Sequence, residues 1–537
     1  MTFEDADDRS NVVTTLAVAT CGSGLVNLVS LAEPHVPQRI ALLRSIFPLE
    51  FLQIARLLTF VIGVALVVAS IHIFKRKRRA LQVVAALSVL SIVFHLTKGI
   101  DYEEASCSVL LLGLLFVSRG DFQVRSSAPD WRGAAVVFGG VVTAVLGYRL
   151  GQALWLHSPH ATMHLAGTAQ FSMAATAAYA TMSSFRPARH RQRTAPHQLA
   201  HAKRLTDIYG RSNLDFFKLW PQKSIFVGEA RESFLAYDVA AGAAVILGDP
   251  VGRDDEIRSL VRAFGSLCHR NDWSMVLYQT LPRYLPIYEQ LGLKRMKIGD
   301  DAIVDLRTFS LEGAARKSLR TGLKKIEASG VRYEHHDAPI GDSLIDELQS
   351  ISDEWLQLPG RRERYFALGH FDRDYVRGTP VALARDADGR AIAFVNTLVS
   401  DRRREATGDL MRRRTAAPNG VMDYLFLHTF LLYQQRGIER FSLGMAPMSG
   451  FTASESASPE ERAVHAFFQH LGFLFSYRGL KAYKAKFATS WEPRYVVFRH
   501  VLDLPRMGVA LLRLSSARHS ADALQAHGRT NAEEVPS

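Results

Sequence analysis

At 537 residues the chain is longer than the ~100–200 residues of one ordinary soluble domain, and its 48% hydrophobic content is concentrated in the half before about Phe185. A formal net charge of +13 favours a polyanionic partner, either nucleic acid or an acidic lipid surface. Cys21, Cys107 and Cys268 are too few for a disulfide framework or a soft-metal cluster, and the chain carries no zinc signature, Walker loop or Ser-His-Asp arrangement.

In chain order, Glu4, Asp5, Asp7 and Asp8 stand where a cleaved signal would be basic, so a signal peptide is disfavoured. Apolar runs follow at Val12–Leu31, Leu57–Phe74, Ala80–Leu96, Ser108–Val117, Ala134–Leu150 and Met163–Met182, predicting about six membrane helices within 1–194. The first is weakened by Gly22, Gly24, Asn27 and Ser30, and the fourth is short unless it extends back through Ala105. The basic run Lys75–Arg79 is expected in the cytoplasm; alternating spans then also put Arg186, Arg189, Arg191 and Arg193 inside, and with them everything that follows. The expectation is a multi-pass membrane protein with a cytoplasmic C-terminal region.

That region reads as mixed α and β. Short strands at Ser224–Gly228, Ser233–Asp238 and Ala243–Gly248 form a meander, followed by an amphipathic helix from Asp254 with Ile257, Leu260, Val261, Phe264 and Leu267 on one face. A strand at Trp273–Tyr278, a helix near Tyr284–Leu291 and strands at Leu293–Ile298 and Ala302–Leu306 complete a first unit, 195–329, that ends in the basic helix Leu311–Ser329. The second unit, 330–500, repeats the alternation. It has strands at Val331–His335, Pro380–Arg385, Ala391–Leu398, Ala406–Met411, Phe441–Leu443, Leu474–Tyr477 and Arg494–Phe498, with helices at Ser343–Leu358, Met422–Gln435 and Pro459–Leu471. Two similar alternations predict a tandem α+β acyltransferase fold of the N-acetyltransferase (GNAT) type after the membrane helices, and 501–537 reads as a flexible tail.

Three segments carry chemistry. Asp409-Leu410-Met411-Arg412-Arg413-Arg414 sets a carboxylate three residues from a guanidinium at a strand end, ahead of a helix start at Asn419–Asp423 where amide hydrogens favour an anion. The bland alternative is a structural Asp409–Arg412 pair. Ser442 to Gly450 passes from strand to loop with small residues that allow close backbone approach, or form only a tight connection. Tyr477 to Phe487 interleaves Arg478, Lys481, Lys484 and Lys486 with aromatics, suiting phosphates and bases, and reads otherwise as a basic outer strand. His335 and His336 are adjacent, so in a strand they face opposite ways.

Taken together these blocks resemble the phosphatidylglycerol lysyltransferase family, the aminoacyl-phosphatidylglycerol synthases or multiple peptide resistance factors. The resemblance covers nearly all of Leu214–Phe498. It rests on Asp215-Phe216-Phe217-Lys218-Leu219, Leu247-Gly248-Asp249-Pro250-Val251-Gly252, Asp409-Leu410-Met411-Arg412, Met422-Asp423-Tyr424, Ser442-Leu443-Gly444-Met445-Ala446-Pro447 with Ser449, and Trp491-Glu492-Pro493-Arg494-Tyr495. It implies transfer of an aminoacyl group, most commonly lysyl, from aminoacyl-tRNA to the glycerol hydroxyl of phosphatidylglycerol. That reaction modifies membrane charge and lowers susceptibility to cationic antimicrobial peptides, with no cofactor or metal and the charged tRNA as co-substrate. Its partners would be aminoacyl-tRNA and anionic membrane lipid, with a homo-oligomer left open.

An aminoacyl ester is already activated, so the chemistry needs alignment, a base and oxyanion stabilisation. On that footing Asp409 orients the attacking group or accepts its proton, Arg412 binds phosphate or organises Asp409, and Lys484 or Lys486 counters negative charge. Asp423 and Glu492 are candidates for the donor's amino group, with Arg413, Ser442, Ser449, Arg478, Lys481 and Arg494 as further substrate-binding residues. Competing readings are alanyl transfer by the same mechanism, a membrane-tethered acyl-coenzyme A N-acyltransferase, and a non-enzymatic lipid- or tRNA-binding protein.

Overall fold

The computed structural model describes residues 10–30, 49–99, 101–127, 139–140, 143, 146, 175–190, 194–447 and 477–516. The chain divides into two compact units, one of 1–189 with 267–273 and one of 190–266 with 274–537.

The first unit is helical, with α1 at Ser10–Val29, α2 at Leu49–Phe74, α3 at Arg78–Gly99 and α4 at Tyr102–Val117. Among the described residues two helical stretches, Asn11–Val29 and Arg78–Thr97, are long and apolar enough to cross a membrane, and Leu58–Phe74 is a shorter apolar one. Helix α4 extends back through Ala105 but has only 16 residues, short of the ~20 that span hydrocarbon. The predicted run Ala134–Leu150 lies almost wholly outside the described residues, and of Met163–Met182 only 175–182 is described, as helix. The glycines that weaken the first run have a packing role. A Cβ on Gly24 would sit 2.8 Å from the Gly63 carbonyl oxygen, and one on Gly63 would sit 3.0 Å from that of Gly24, so α1 and α2 cross backbone to backbone. Asn27, also in α1, is buried, and its Oδ1 accepts a hydrogen bond from Ser91 Oγ at 2.9 Å.

The second unit is mixed α and β, built on one twelve-stranded sheet of order β1-β2-β3-β5-β12-β6-β11-β10-β9-β8-β7, with β4 paired to β2. Its strands are β1 Ser224–Val227, β2 Ser233–Ala240, β3 Ala243–Leu247, β4 Val251–Gly252, β5 Ser274–Thr280, β6 Lys294–Asp305, β7 Arg332–His336, β8 Val381–Arg385, β9 Ala391–Ser400, β10 Glu405–Arg413, β11 Arg440–Pro447 and β12 Ser490–Phe498. Its helices are α5 Pro196–Tyr209, α6 Asp254–Arg270, α7 Leu285–Gln290, α8 Lys317–Ala328, α9 Asp342–Leu356, α10 Arg373–Arg377, α11 Val421–Gln435, α12 Tyr477–Ala485 and α13 Asp503–Leu514, together with a 3-10 turn at Asn213–Leu219.

The strand order is a palindrome. Exchanging β1 with β8, β2 with β9, β3 with β10, β5 with β11 and β6 with β12 reverses the run from β1 to β8 onto itself. In both halves an antiparallel meander is followed by a helix and a parallel strand: β3 with β5 across α6, and β10 with β11 across α11. The final strand of each half crosses to the other, so β6 pairs with β11 and β12 with β5, while β6 and β12 pair with each other. Phe426, Phe430, Phe441 and Phe487 pack the core beneath this crossing.

Three sequence expectations change here. The predicted flexible tail 501–537 contains helix α13, whose Leu504, Met507, Ala510 and Leu514 are buried against the sheet, so an apolar face orders the chain there. Leu293–Ile298 and Ala302–Leu306 are one continuous strand, β6, because the polar Gly299-Asp300-Asp301 interval between them is buried and satisfied rather than turned out. A Cβ on Gly299 would meet the Ala446 oxygen at 2.5 Å, Asp300 pairs with Lys297 at 2.7 Å, and Asp301 receives Arg494 Nε at 3.0 Å. The basic-aromatic segment from Tyr477 is a helix rather than an outer strand; the end of the predicted strand Leu474–Tyr477 falls in it, and the rest of that strand and the predicted helix Pro459–Leu471 lie outside the described residues. His335 and His336 do face opposite ways, with side chains 7% and 37% exposed.

The Asp301–Arg494 pair joins the exchanged strands and is buried on both sides. Removing one partner strands a charge, at a typical cost of ~3–5 kcal/mol. Arg494→Met is therefore expected to lower the unfolding temperature of the purified protein clearly, whereas Asp301→Asn/Arg494→Met together should recover part of the loss.

Candidate active site

The parallel pairs of the two halves differ in one respect. β3 and β5 are paired through five residues, Ala243–Leu247 against Ser274–Tyr278, and Gly248 N–H continues the ladder to the Tyr278 carbonyl at 2.7 Å. β10 and β11 are paired only over Glu405–Thr407 against Arg440–Ser442, then part while both strands continue. Each arm is irregular at the parting. β10 shifts register against β9 between Gly408 and Met411, and β11 shifts against β6 between Ser442 and Met445. A bulge leaves a ladder amide unpaired; Leu410 N–H is taken by Asn396 Oδ1 at 2.7 Å, and Asn396 is fixed in turn through its Nδ2 to Thr379 Oγ1 at 3.1 Å.

Asp409 sits on the β10 arm. Its Oδ2 accepts the Tyr375 hydroxyl at 2.5 Å and its Oδ1 accepts Gly369 N–H at 3.1 Å. Burial pushes its carboxyl above the ordinary range, while these two hydrogen bonds and the Arg412 charge pull it back. Asp409 and Arg412 do not form the direct pair that their spacing allows. Arg412, 4% exposed, donates from Nη2 to Glu363 Oε2 at 2.7 Å and lies 4.0 Å over the Trp355 ring. Its buried Nη1 has no hydrogen-bond partner among the described residues, so the guanidinium keeps an unused donor. Arg414 is structural, held by Glu354, Ser350 and the Ala391 carbonyl. Among the described residues Arg413 reaches only the Ala417 carbonyl, at 3.5 Å.

Lys484, in α12, closes the β11 arm. Its buried ammonium donates to the carbonyls of Gly444 and Met445, both at 2.9 Å, the groups that the β11 bulge frees. Gly444 needs a positive φ of 78°, which a glycine adopts without strain. Burial lowers the amine to about 8, against the attraction of Asp301. The 3-10 turn Asn213–Leu219 bridges the arms. Asn213 donates to Ser442 Oγ at 2.9 Å, and the Phe216 ring lies 5.7 Å from that of Tyr375.

Asp409, Arg412, Ser442 and Lys484 thus flank one parting of two strands. The other candidates are elsewhere or engaged. Lys486 is half-exposed and pairs with Asp423 at 3.0 Å, and Asp423 sits in the first turn of α11, where its negative charge complements the helix dipole. Glu492 pairs with Arg440 at 2.6 Å, Arg494 is buried on Asp301, and Lys481 lies 5.9 Å from the Trp491 ring. The backbone of Arg478 is in α12, and Ser449 lies outside the described residues. Tyr375, Gly369, Glu363, Trp355 and Asn396 were missed by sequence reasoning. Only the run Gly360-Arg361-Arg362-Glu363-Arg364 after Trp355 carried a visible charge signal.

A family model described as phosphatidylglycerol lysyltransferase, C-terminal, matches residues 203–498, more than half of the chain. The chain belongs to this family. Among relatives, the phosphatidylglycerol lysyltransferase of Staphylococcus haemolyticus is 31% identical over 309 residues, covering 57% of this chain and 36% of that protein. That of Bacillus subtilis is 27% identical over 499 residues, covering 90% of this chain and 57% of the relative. The solved structure of L-PGS from Bacillus licheniformis superposes with a TM-score of 0.53 at 28% identity, covering 59% of this chain and 96% of that one. The chain therefore spans between about a third and three-fifths of the length of these two curated lysyltransferases.

Gly369 has no room for a side chain: a Cβ there would lie 1.9 Å from Asp409 Oδ2 and 2.8 Å from Tyr375 Cε1. Gly369→Ala is expected to displace the carboxylate and cut turnover at least about a hundredfold, ~2.7 kcal/mol in the barrier, with a smaller drop in unfolding temperature from the crowded Tyr375 ring. Turnover equal to the parent's would show that Asp409's position does not matter.

Proposed function

We propose that the chain transfers an aminoacyl group, lysyl in the first instance, from aminoacyl-tRNA to the glycerol hydroxyl of phosphatidylglycerol. The carrying observation is the half-buried carboxylate of Asp409, held by Tyr375 and Gly369 beside an arginine with a free donor, where two parallel strands part within a phosphatidylglycerol lysyltransferase region. We read the two halves of the sheet as tandem acetyltransferase-like units, the palindromic strand order being the support. The N-terminal helices are read as a multi-pass anchor of the bacterial inner membrane. The basic run Lys75–Arg79 favours a cytoplasmic catalytic region, where charged tRNA is available.

In this reaction the lipid hydroxyl attacks the ester carbonyl and its proton passes to Asp409. The tetrahedral oxyanion collapses, the bond to the terminal ribose oxygen breaks, and that oxygen recovers the proton. A raised carboxyl suits a base that must first accept and then return a proton. Arg412 Nη1 is the donor placed for a phosphate oxygen, with Glu363 and Trp355 holding its plane. Lys484 supplies positive charge on the opposite arm. The energy comes from the donor ester, so no nucleotide is hydrolysed and no cofactor takes part.

Purified protein given phosphatidylglycerol and, separately, lysyl- and alanyl-tRNA should yield a lipid whose mass has grown by one lysyl residue. Growth by an alanyl residue instead would reassign the donor, and tRNA or vesicle binding without any lipid product would leave only a binding protein. The charges also set a pH dependence. Asp409 must be ionised, so turnover falls as pH drops through its raised value; Lys484 is cationic only below about 8, so turnover falls again above it. Lys484→Arg, which keeps its proton at any working pH, is expected to move the alkaline limb upward. An unchanged limb would remove Lys484 from the reaction.

A further inference from the structure

Helix α13, beyond the matched family region, has two apolar faces. The inner one, Leu504, Met507, Ala510 and Leu514, is buried and packs on the sheet beside β2, β3 and β5. That contact explains why the helix forms. Among the described residues the outer face has no such partner. Leu502, just before the helix, is 86% exposed, Val509 45% and Leu512 40%. With the exposed Pro505 these residues follow steps of three and four, so they lie along one side, and the exposed Arg506 and Arg513 run along its edge. Neither arginine forms an ion pair among the described residues. A water-facing helix has no reason to place leucine and valine on its outermost line with unpaired cations beside them. A helix lying in the headgroup layer does: the apolar line enters the acyl boundary and the guanidiniums meet lipid phosphates.

The end of this helix adjoins the active site. Leu514 lines a small recess with Phe217, Trp220, Tyr365, Phe366 and Leu368, of which Leu368 is half exposed. The Trp220 ring is 5.1 Å from the Tyr375 ring, and Tyr375 holds Asp409. An aromatic wall therefore runs from the C-terminal end of α13 to the proposed base.

We propose that α13 is a membrane-docking element whose outer face, Leu502, Pro505, Val509 and Leu512 edged by Arg506 and Arg513, seats in the surface of an anionic bilayer and sets this aromatic wall against the lipid. Use of the wall by an acceptor lipid rests on the transfer reaction proposed above; the docking does not. A second copy of the chain is the weaker occupant, because stacking two such faces brings like charges together.

The test uses the full chain with Cys21 and Cys107 replaced by serine, Val509→Cys labelled with an environment-sensitive dye, and reconstitution into phosphatidylglycerol or phosphatidylcholine vesicles. Quenching by a nitroxide carried on the lipid is expected in phosphatidylglycerol, and Arg506→Glu/Arg513→Glu should abolish it. Quenching only by a water-soluble nitroxide would overturn the proposal. So would protection from both quenchers, which would mean that protein covers the face. Val509→Asp/Leu512→Asp should raise KM for phosphatidylglycerol about tenfold at unchanged kcat. Lipid product without lipid quenching defeats the docking alone, and lipid quenching without product defeats the transfer reading alone.

Discussion

The site depends on one interruption of backbone pairing. After three paired residues β10 and β11 separate, and every polar group that the separation frees must find another partner inside the protein. Asn396 takes the amide of Leu410, and Lys484 takes the carbonyls of Gly444 and Met445. A charged side chain spent on two carbonyls is an unusual way to close a strand. It keeps the arms apart while supplying positive charge between them, and in the proposed transfer that charge faces the developing oxyanion.

The other half of the sheet shows what the same elements do when the gap stays shut. Asp249 follows a glycine, as Asp409 does, and it also accepts one tyrosine hydroxyl and one backbone amide: Tyr288 at 2.8 Å and Leu281 at 2.8 Å. Burial raises its carboxyl to about 6. Yet β3 and β5 remain paired, and Lys218 bonds both to Asp215, at 2.7 Å, and to the Asp249 carbonyl. A raised carboxyl with a tyrosine partner is thus a shared structural device. The parting of the strands, with the free Nη1 of Arg412, is what distinguishes the second copy, and it is why the proposed reaction is assigned there.

Much of the fold was legible because strand and helix periodicities are local. The alternation from Ser224 to Phe498 could be read, and so could its near repetition. The exchange of β6 and β12 could not, since pairing partners nearly two hundred residues apart leave no local trace. Gly299-Asp300-Asp301 read as a break between two strands because its partners, Lys297 apart, lie in the other half. In the proposed site, Asp409, Arg412 and Lys484 were singled out by charge type and family pattern. Tyr375 and Gly369 were not, because a tyrosine after a short loop and a glycine before it matter only once Asp409 is brought to them.

The membrane part was legible as composition more than as span count. Gly24 and Asn27 looked like faults in an apolar run and are a close helix crossing and a buried hydrogen-bond acceptor. The account stands or falls on Asp409 as the group that takes the proton, and the pH dependence of kcat/KM for Tyr375→Phe tests this most directly. Loss of the hydroxyl removes a hydrogen bond that lowers the Asp409 carboxyl, so the acid limb should move to higher pH while the alkaline limb stays in place. An acid limb that does not move would contradict it.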